Sequence, residues 1–233
     1  MSVGIIIAVV VFFIAIGIAA AIAFSGSTGE NNTKKTSIGL VEKIQVSVSG
    51  DWQQYETSIR QACQEVSSLF NDNIQLPVLF SATTGSNGSI IAAAAMSDSS
   101  KIHGGGIILI YTDYLGTPSS GYKEVLVHEL LHVMGIGSHN IWSGAVLAGN
   151  LLDGSDFPNA LEEYQDLGGV GTDIPLGTKN GHWRESTFGD EIMTPYVNSA
   201  IDLKLSKLTG AALKDMGWDI ILTIPPFEDY TLP

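Results

Sequence analysis

Apolar and polar residues follow one another along this chain in three rhythms, and each rhythm predicts a different kind of element. The first is an unbroken apolar run. From Val3 to Phe24, "VGIIIAVVVFFIAIGIAAAIAF", about 22 residues pass without a charge, long enough to cross a bilayer as a helix. A core helix would show a polar face, and this one has none. The second rhythm is alternation, which sends successive side chains to opposite faces of a sheet. It predicts a strand over Val41 to Val48, a pair of strands "LPVLFSA" and "GSIIAAAAM" around the turn "TTGSNG", and a further strand over Ile107 to Tyr111. The third is helical spacing. Tyr55, Ile59, Ala62, Cys63, Val66 and Leu69/Phe70 recur on one stripe, with Asp51 as candidate cap. Val125, Leu126, Leu130, Leu131 and Met134 do the same in "GYKEVLVHELLHVMG" and stop at Gly135. "LSKLTGAALKDMG" repeats the pattern between Ser206 as cap and Gly217 as stop.

Stretches without periodicity set the organisation. "SGSTGENNTKKTS", Ser25 to Ser37, is polar and reads as a flexible linker. Gly137 to about Thr194 is glycine-rich and mostly irregular, and the tail "ILTIPPFEDYTLP" is too proline-rich for a helix. The expected division is therefore a hydrophobic membrane anchor or signal segment at 1–24, a linker at 25–37 and one folded domain at 38–233. Length favours an uncleaved single-pass anchor, and no Lys or Arg precedes the run as in a secretory signal. The small-x-small "AIA", Ala21 to Ala23, has the form of a cleavage site, which would make the protein secreted instead. Lys34 and Lys35 bias the C-terminal side weakly towards the cytoplasm.

Composition removes some function classes. Acidic residues outnumber basic ones, 24 to 11, for a net charge of −13, so a nucleic-acid partner is not expected. The one cysteine, Cys63, excludes an intrachain disulfide. Its place on an apolar helical stripe predicts a buried, inert thiol.

The candidate chemistry lies in "HELLHVMGIGSHN", His128 to Asn140. At about 100° per residue, His128 and His132 share a helix face one turn apart, so two imidazoles can converge on one cation. Glu129 projects beside them, placed to handle a proton without being a ligand. Leu130 and Leu131 face the core. A catalytic zinc needs a third protein ligand and one open position. Gly135 can turn the chain off the helix and let that ligand come from later in the sequence.

"HELLHVMG" resembles the opening of the metzincin signature, in which a third histidine follows the glycine after two residues. Here Ser138 holds that place and His139 comes one late. Leishmanolysin-type metzincins insert a segment before their third histidine, and "HVMGIG" is similar to their HVLGIG. "GHWRESTFGDEIMTPY", Gly181 to Tyr196, and "LSKLTGAALKDMGW" resemble two later blocks of the leishmanolysin-like group, and "IHGGGIILIYTDYL" does so more loosely. The resemblance covers about Ile102 to Trp218. It implies zinc held by His128, His132 and His182, Glu129 as general base and Met193 as the apolar Met-turn floor. His139 is the rival third ligand, and tetrahedral convergence suits His182, arriving from a separate loop. Cysteine motifs of a latency switch are absent from the sequence.

Other residues are weaker candidates. Tyr196 could donate to a developing oxyanion or be a packed surface tyrosine. Trp183 and Arg184 line the cleft or brace the loop of His182. Glu162, Glu163 and Asp166 read as a solvated face, His103 as a loop histidine, and no loop has calcium-ligand spacing. The resemblance implies an α+β metzincin-type fold with a twisted mixed sheet, an active-site helix and a smaller C-terminal subdomain, the halves meeting near 135–136. The implied function is zinc-dependent metalloendopeptidase action on extended peptide or protein, at a membrane. The rival is a catalytically silent, zinc-stabilised adhesion or binding module on a membrane surface.

Overall fold

The alternating stretch after the linker folds back on itself. Expected as one strand over Val41 to Val48, it forms two antiparallel strands, β2 (Ser37–Val41) and β3 (Ile44–Gly50). Glu42 and Lys43 break the alternation with two polar residues in a row, and Glu42 takes a positive φ of 50° at the turn. Val41 and Ile44 thereby become cross-strand partners, both buried.

A computed structural model describes residues 7–8, 37–83, 92–112, 122–197, 203–223, 227 and 229–233. The expected anchor and linker lie outside these residues, apart from Ser37 and a two-residue strand, β1 (Ile7–Ala8). No helix of the described residues is long and apolar enough to cross a membrane.

Three more strands complete a five-stranded mixed sheet: β4 (Leu76–Thr83), β5 (Ala92–Met96) and β6 (Gly106–Tyr111). The order is β2-β3-β4-β6-β5, with β3, β4 and β6 parallel and the two outer strands antiparallel to their neighbours. The expected pairing of "LPVLFSA" with "GSIIAAAAM" is corrected: β6 lies between them. Alternation fixes which face a residue takes, not which strand it pairs with. The isoleucine-rich β6 gains an inner position, while the alanine strand β5 takes the edge.

Helices α1 (Glu56–Ser67) and α2 (Tyr122–Met134) pack beside each other, and α2 lies on β5 and β6. Asp51 does not cap α1. A 3₁₀ turn over Gln53–Tyr55 leads into the helix, and Tyr55 occupies the cap position. Leu69 and Phe70 lie past its end but are fully buried, and Cys63 is buried, its thiol pushed up to about 12. Every residue of α2 from Val125 to Met134 is buried. Such a stretch has no solvent face, so His128, Glu129 and His132 can be satisfied only from inside the protein.

The second half is more regular than expected. It holds α3 (Asn140–Gly144), a three-stranded antiparallel sheet of β7 (Val146–Leu147), β8 (Leu151–Asp153) and β9 (Asp173–Pro175), then α4 (Pro158–Asp166) and α5 (Glu185–Phe188). Strands of two or three residues carry no alternation to read. β10 (Tyr196–Val197) pairs with β1. Helix α6 (Lys207–Asp215) follows Ser206 as predicted and is closed by Gly217 at a φ of 104°. Trp142, Phe157, Trp183 and Phe188 form a buried aromatic cluster with centroids 5.1–5.7 Å apart. Each fully buried large side chain contributes about 1.5–3 kcal/mol, so this cluster anchors a region poor in long elements. Glu162 and Asp166 are exposed on α4, the solvated face expected of them.

Candidate metal centre

Helix α2 sets His128 and His132 one turn apart, and His182 arrives from the second half of the chain. All three are at most 5 % exposed. Their Nε2 atoms lie 3.0 Å apart for His128–His132, 3.2 Å for His128–His182 and 3.1 Å for His132–His182.

The opposite ring nitrogens decide what these distances mean. His128 Nδ1 lies 2.5 Å from the carbonyl oxygen of Ile192, and His132 Nδ1 lies 2.7 Å from that of Ile136. A carbonyl only accepts, so both Nδ1 atoms carry the proton and donate it. A neutral imidazole then has a bare lone pair at Nε2. Two lone pairs 3.0 Å apart are not a hydrogen bond; they repel unless a cation lies between them. Nitrogens arranged tetrahedrally at about 2.0–2.1 Å from one ion stand about 3.3 Å from each other, close to the spacing here. Burial also pushes the His128 imidazole down to about 4. It lowers His132 and His182 as well, with a further contribution from the neighbouring histidines. The three side chains are thus held uncharged, the form that binds a metal. They fit a cation and could hold one.

Close backbone approach brings His182 to the pair. Gly135, at a φ of 124°, takes the chain off α2. Gly137 then passes so near Gly181 that a Cβ built on it would stand 2.2 Å from the Gly181 carbonyl oxygen. The next residue is His182, locked by a bond from Gly177 N to its carbonyl (2.9 Å) and by Trp183 N donating to Met193 O (3.0 Å). Ser138 lies where the short signature has its histidine, and its hydroxyl donates to the His132 carbonyl. His139 is buried but engaged elsewhere: its Nδ1 accepts from Ile141 N (3.0 Å) as the cap of α3. It belongs to no cluster of metal-ligating groups among the described residues. His103 faces Asp72 and the Trp218 ring.

Glu129 is fully buried, and neither carboxylate oxygen has a hydrogen-bond partner among the described residues. Burial pushes it up to about 8. Met193 is fully buried between two anchored carbonyls: Ile192 O takes the His128 proton and Met193 O takes Trp183 N. Trp183 and Arg184 brace the loop. Trp183 Nε1 donates to Thr209 Oγ1 (2.8 Å), and Arg184 Nε and Nη2 donate to the carbonyls of Leu176 (3.1 Å) and Asn150 (3.0 Å). Tyr196 is 38 % exposed.

Sequence reasoning missed the buried carboxylate of Glu191, which accepts from Ser206 Oγ (2.7 Å), Thr209 Oγ1 (2.6 Å) and Met193 N (2.6 Å). Its signals were faint. Ser206 reads as a helix cap by position, yet its hydroxyl turns to Glu191 rather than to the helix. The steric role of Gly137 was also missed, though Gly-x-Gly was in view.

Two outcomes follow. Replacing His182 with Ala should abolish tight metal binding in an equilibrium competition with a chelator. His139→Ala should leave affinity unchanged and cost about 1 kcal/mol of stability, the usual value of a lost helix cap. The second concerns pH. Buried histidines with lowered pKa contribute stability above their ordinary value near 6.5, lost as pH falls through about 4 for His128. Glu129 and Glu191, raised to about 8 and about 7, contribute below their ordinary value of 4.5 and lose it as pH rises through those values. Chelator-treated protein should therefore melt highest near pH 6–7, and lower at pH 4 and at pH 9, in calorimetric scans. Comparison with known protein families, curated proteins and solved structures finds no match.

Proposed function

We propose that this chain is a zinc-dependent metalloendopeptidase of the leishmanolysin-like kind, with a metzincin-type arrangement of its two halves. One observation carries the reading: three Nε2 atoms converge, those of His128 and His132 proton-free, on the helix that carries a buried carboxylate, Glu129, with no hydrogen-bond partner among the described residues. A purely structural metal site has no use for that carboxylate, and leaving it buried without a partner opposes folding. A hydrolytic site needs it.

Three neutral imidazoles with one position left open suit zinc. Zinc, when bound, supplies the Lewis acidity that lowers the pKa of water towards about 7. His128, His132 and His182 hold it, their rings fixed by Ile192 O, Ile136 O and the Gly137–Gly181 contact. Glu129 takes the proton from the attacking water and passes it to the leaving amine. Its pKa, raised by burial, brings it near the range in which one group can do both. The substrate binds extended. Strand β5 supports this: it lies at the sheet edge beside α2, pairing with β6 on one side among the described residues, and an edge strand can take up a further strand. The apolar run at Val3 to Phe24 tethers the enzyme to a membrane as a single span, a state in which Ile7 and Ala8 leave their pairing with β10.

Glu129→Ala should keep the metal, measured by elemental analysis, while cleavage of unfolded protein falls by about 10²–10⁴. Chelation should abolish cleavage and zinc restore it. Stoichiometric metal without turnover on a broad peptide library would instead make the chain a silent binding module. On fractionation, the chain should stay with membranes after a carbonate wash and keep its N-terminus; a mature end near Phe24 would identify a cleaved signal.

A further inference from the structure

A carboxylate that touches no metal-binding group nevertheless reaches two of the three histidines through others. Glu191 is fully buried between the segment that precedes Met193 and the start of α6. Its Oε1 accepts from Ser206 Oγ and Thr209 Oγ1, and its Oε2 from Met193 N. The Met193 bond folds the segment 191–193 into a tight local turn, which fixes the carbonyl of Ile192 between them. That carbonyl receives the Nδ1 proton of His128. On its other side Glu191 fixes a hydroxyl. Thr209 has one proton to give, which goes to Glu191, so its lone pairs face the Trp183 Nε1–H that donates to it at 2.8 Å. Trp183 adjoins His182, and its backbone N binds Met193 O, closing the loop. Two segments far apart in sequence are thus registered against one acceptor.

We propose that Glu191 is a positioning residue of the metal centre, setting the aim of His128 through the Ile192 carbonyl and that of His182 through Thr209 and Trp183. It rests on the proposed metal-binding reading and adds to it. The chemistry calls for a carboxylate, not merely a polar group. Three donors converge on it, and one of them is a backbone N–H that cannot turn away. A glutamine of the same shape could keep the Met193 N–H bond on its oxygen, but its NH₂ would donate to the two hydroxyls, turning Ser206 and Thr209 from donors into acceptors and replacing charge-assisted bonds with neutral ones. A buried carboxylate with all its donors in place is a stiff connection, since each charge-assisted bond is about twice as strong as a neutral one. Rings held by such outer partners typically bind metal about 10–100-fold more tightly than rings left loose.

The test uses the full chain in detergent, loaded with cobalt(II) as a spectroscopic stand-in for zinc. Glu191→Gln and Thr209→Val should both fold and weaken metal affinity by about 10–100-fold. The visible cobalt bands should shift or broaden, because the nitrogen geometry changes. Val46→Ala in β3, chosen to lower the melting temperature remotely, should leave affinity and bands as they are. Ser206→Ala removes one donor alone and covers the case in which the stronger changes prevent folding; it should weaken affinity less, in the same direction. Variants that melt lower but keep unsubstituted affinity and bands would make Glu191 a packing residue and overturn the proposal. Failure of the unsubstituted chain to bind cobalt would overturn it together with the metal reading. Weakened binding in the variants, with no peptide hydrolysis by any form, would sink the peptidase reading and leave this one standing.

Discussion

The structure is organised around a repulsion. Three imidazole nitrogens, those of His128 and His132 with their lone pairs bare, converge from two helix positions and one loop, on side chains at most 5 % exposed. Burial keeps a second proton off the rings, and the carbonyls of Ile192 and Ile136 fix the tautomers of His128 and His132 that face inward. The geometry is stable only as part of a fold that forces it, and it becomes favourable once a cation takes the lone pairs. Sheet and helices on one side, and a stapled loop on the other, supply the force.

The two halves contribute in different ways. The first is built of long elements, with the buried faces of β3, β4 and β6 beneath two helices, and it holds α2 rigid along its whole length. The second has few long elements and relies on anchors: the Trp142–Phe157–Trp183–Phe188 cluster, the fork of Arg184 to the Leu176 and Asn150 carbonyls, and the indole of Trp218 donating to Met134 O at 2.9 Å across the boundary. A loop held at several points positions a side chain as firmly as a helix does. Removing the space that lets it approach, at Gly137, would undo all of them at once.

What was legible in the sequence follows the same division. Helix α2 and the pairing of His128 with His132 could be read because helical period places them together whatever the rest does. The choice of His182 over His139 came from resemblance and from the tetrahedral convergence that a separate loop allows, and its structural cause lies outside any periodicity: a steric window between two glycines and a capping role that occupies His139. Long strands were found but their order was not, since β6 enters between β4 and β5 through connections that leave no mark on alternation. The short strands of the second half escaped for lack of length. Glu191 escaped because its partners, Ser206 and Thr209, lie on another element and meet it only when the chain is folded.

Glu129 shows why local and global order agree at this site. In an isolated helix its neighbours Leu130 and Leu131 would bury, and a carboxylate beside them would turn to water. Here α2 is covered on every side, so the carboxylate stays in, unpartnered, and burial raises its pKa to about 8. Burial that only stabilised the fold would have selected an apolar residue at this position, since an unpaired carboxylate opposes folding. A cation held by the three histidines would reverse the sign of that cost by attracting the charged form. The same enclosure that makes the empty triad repulsive therefore makes the acid unfavourable without the metal and well placed with it. Both tensions have one remedy, and that shared dependence ties the folding of this domain to the chemistry proposed for it.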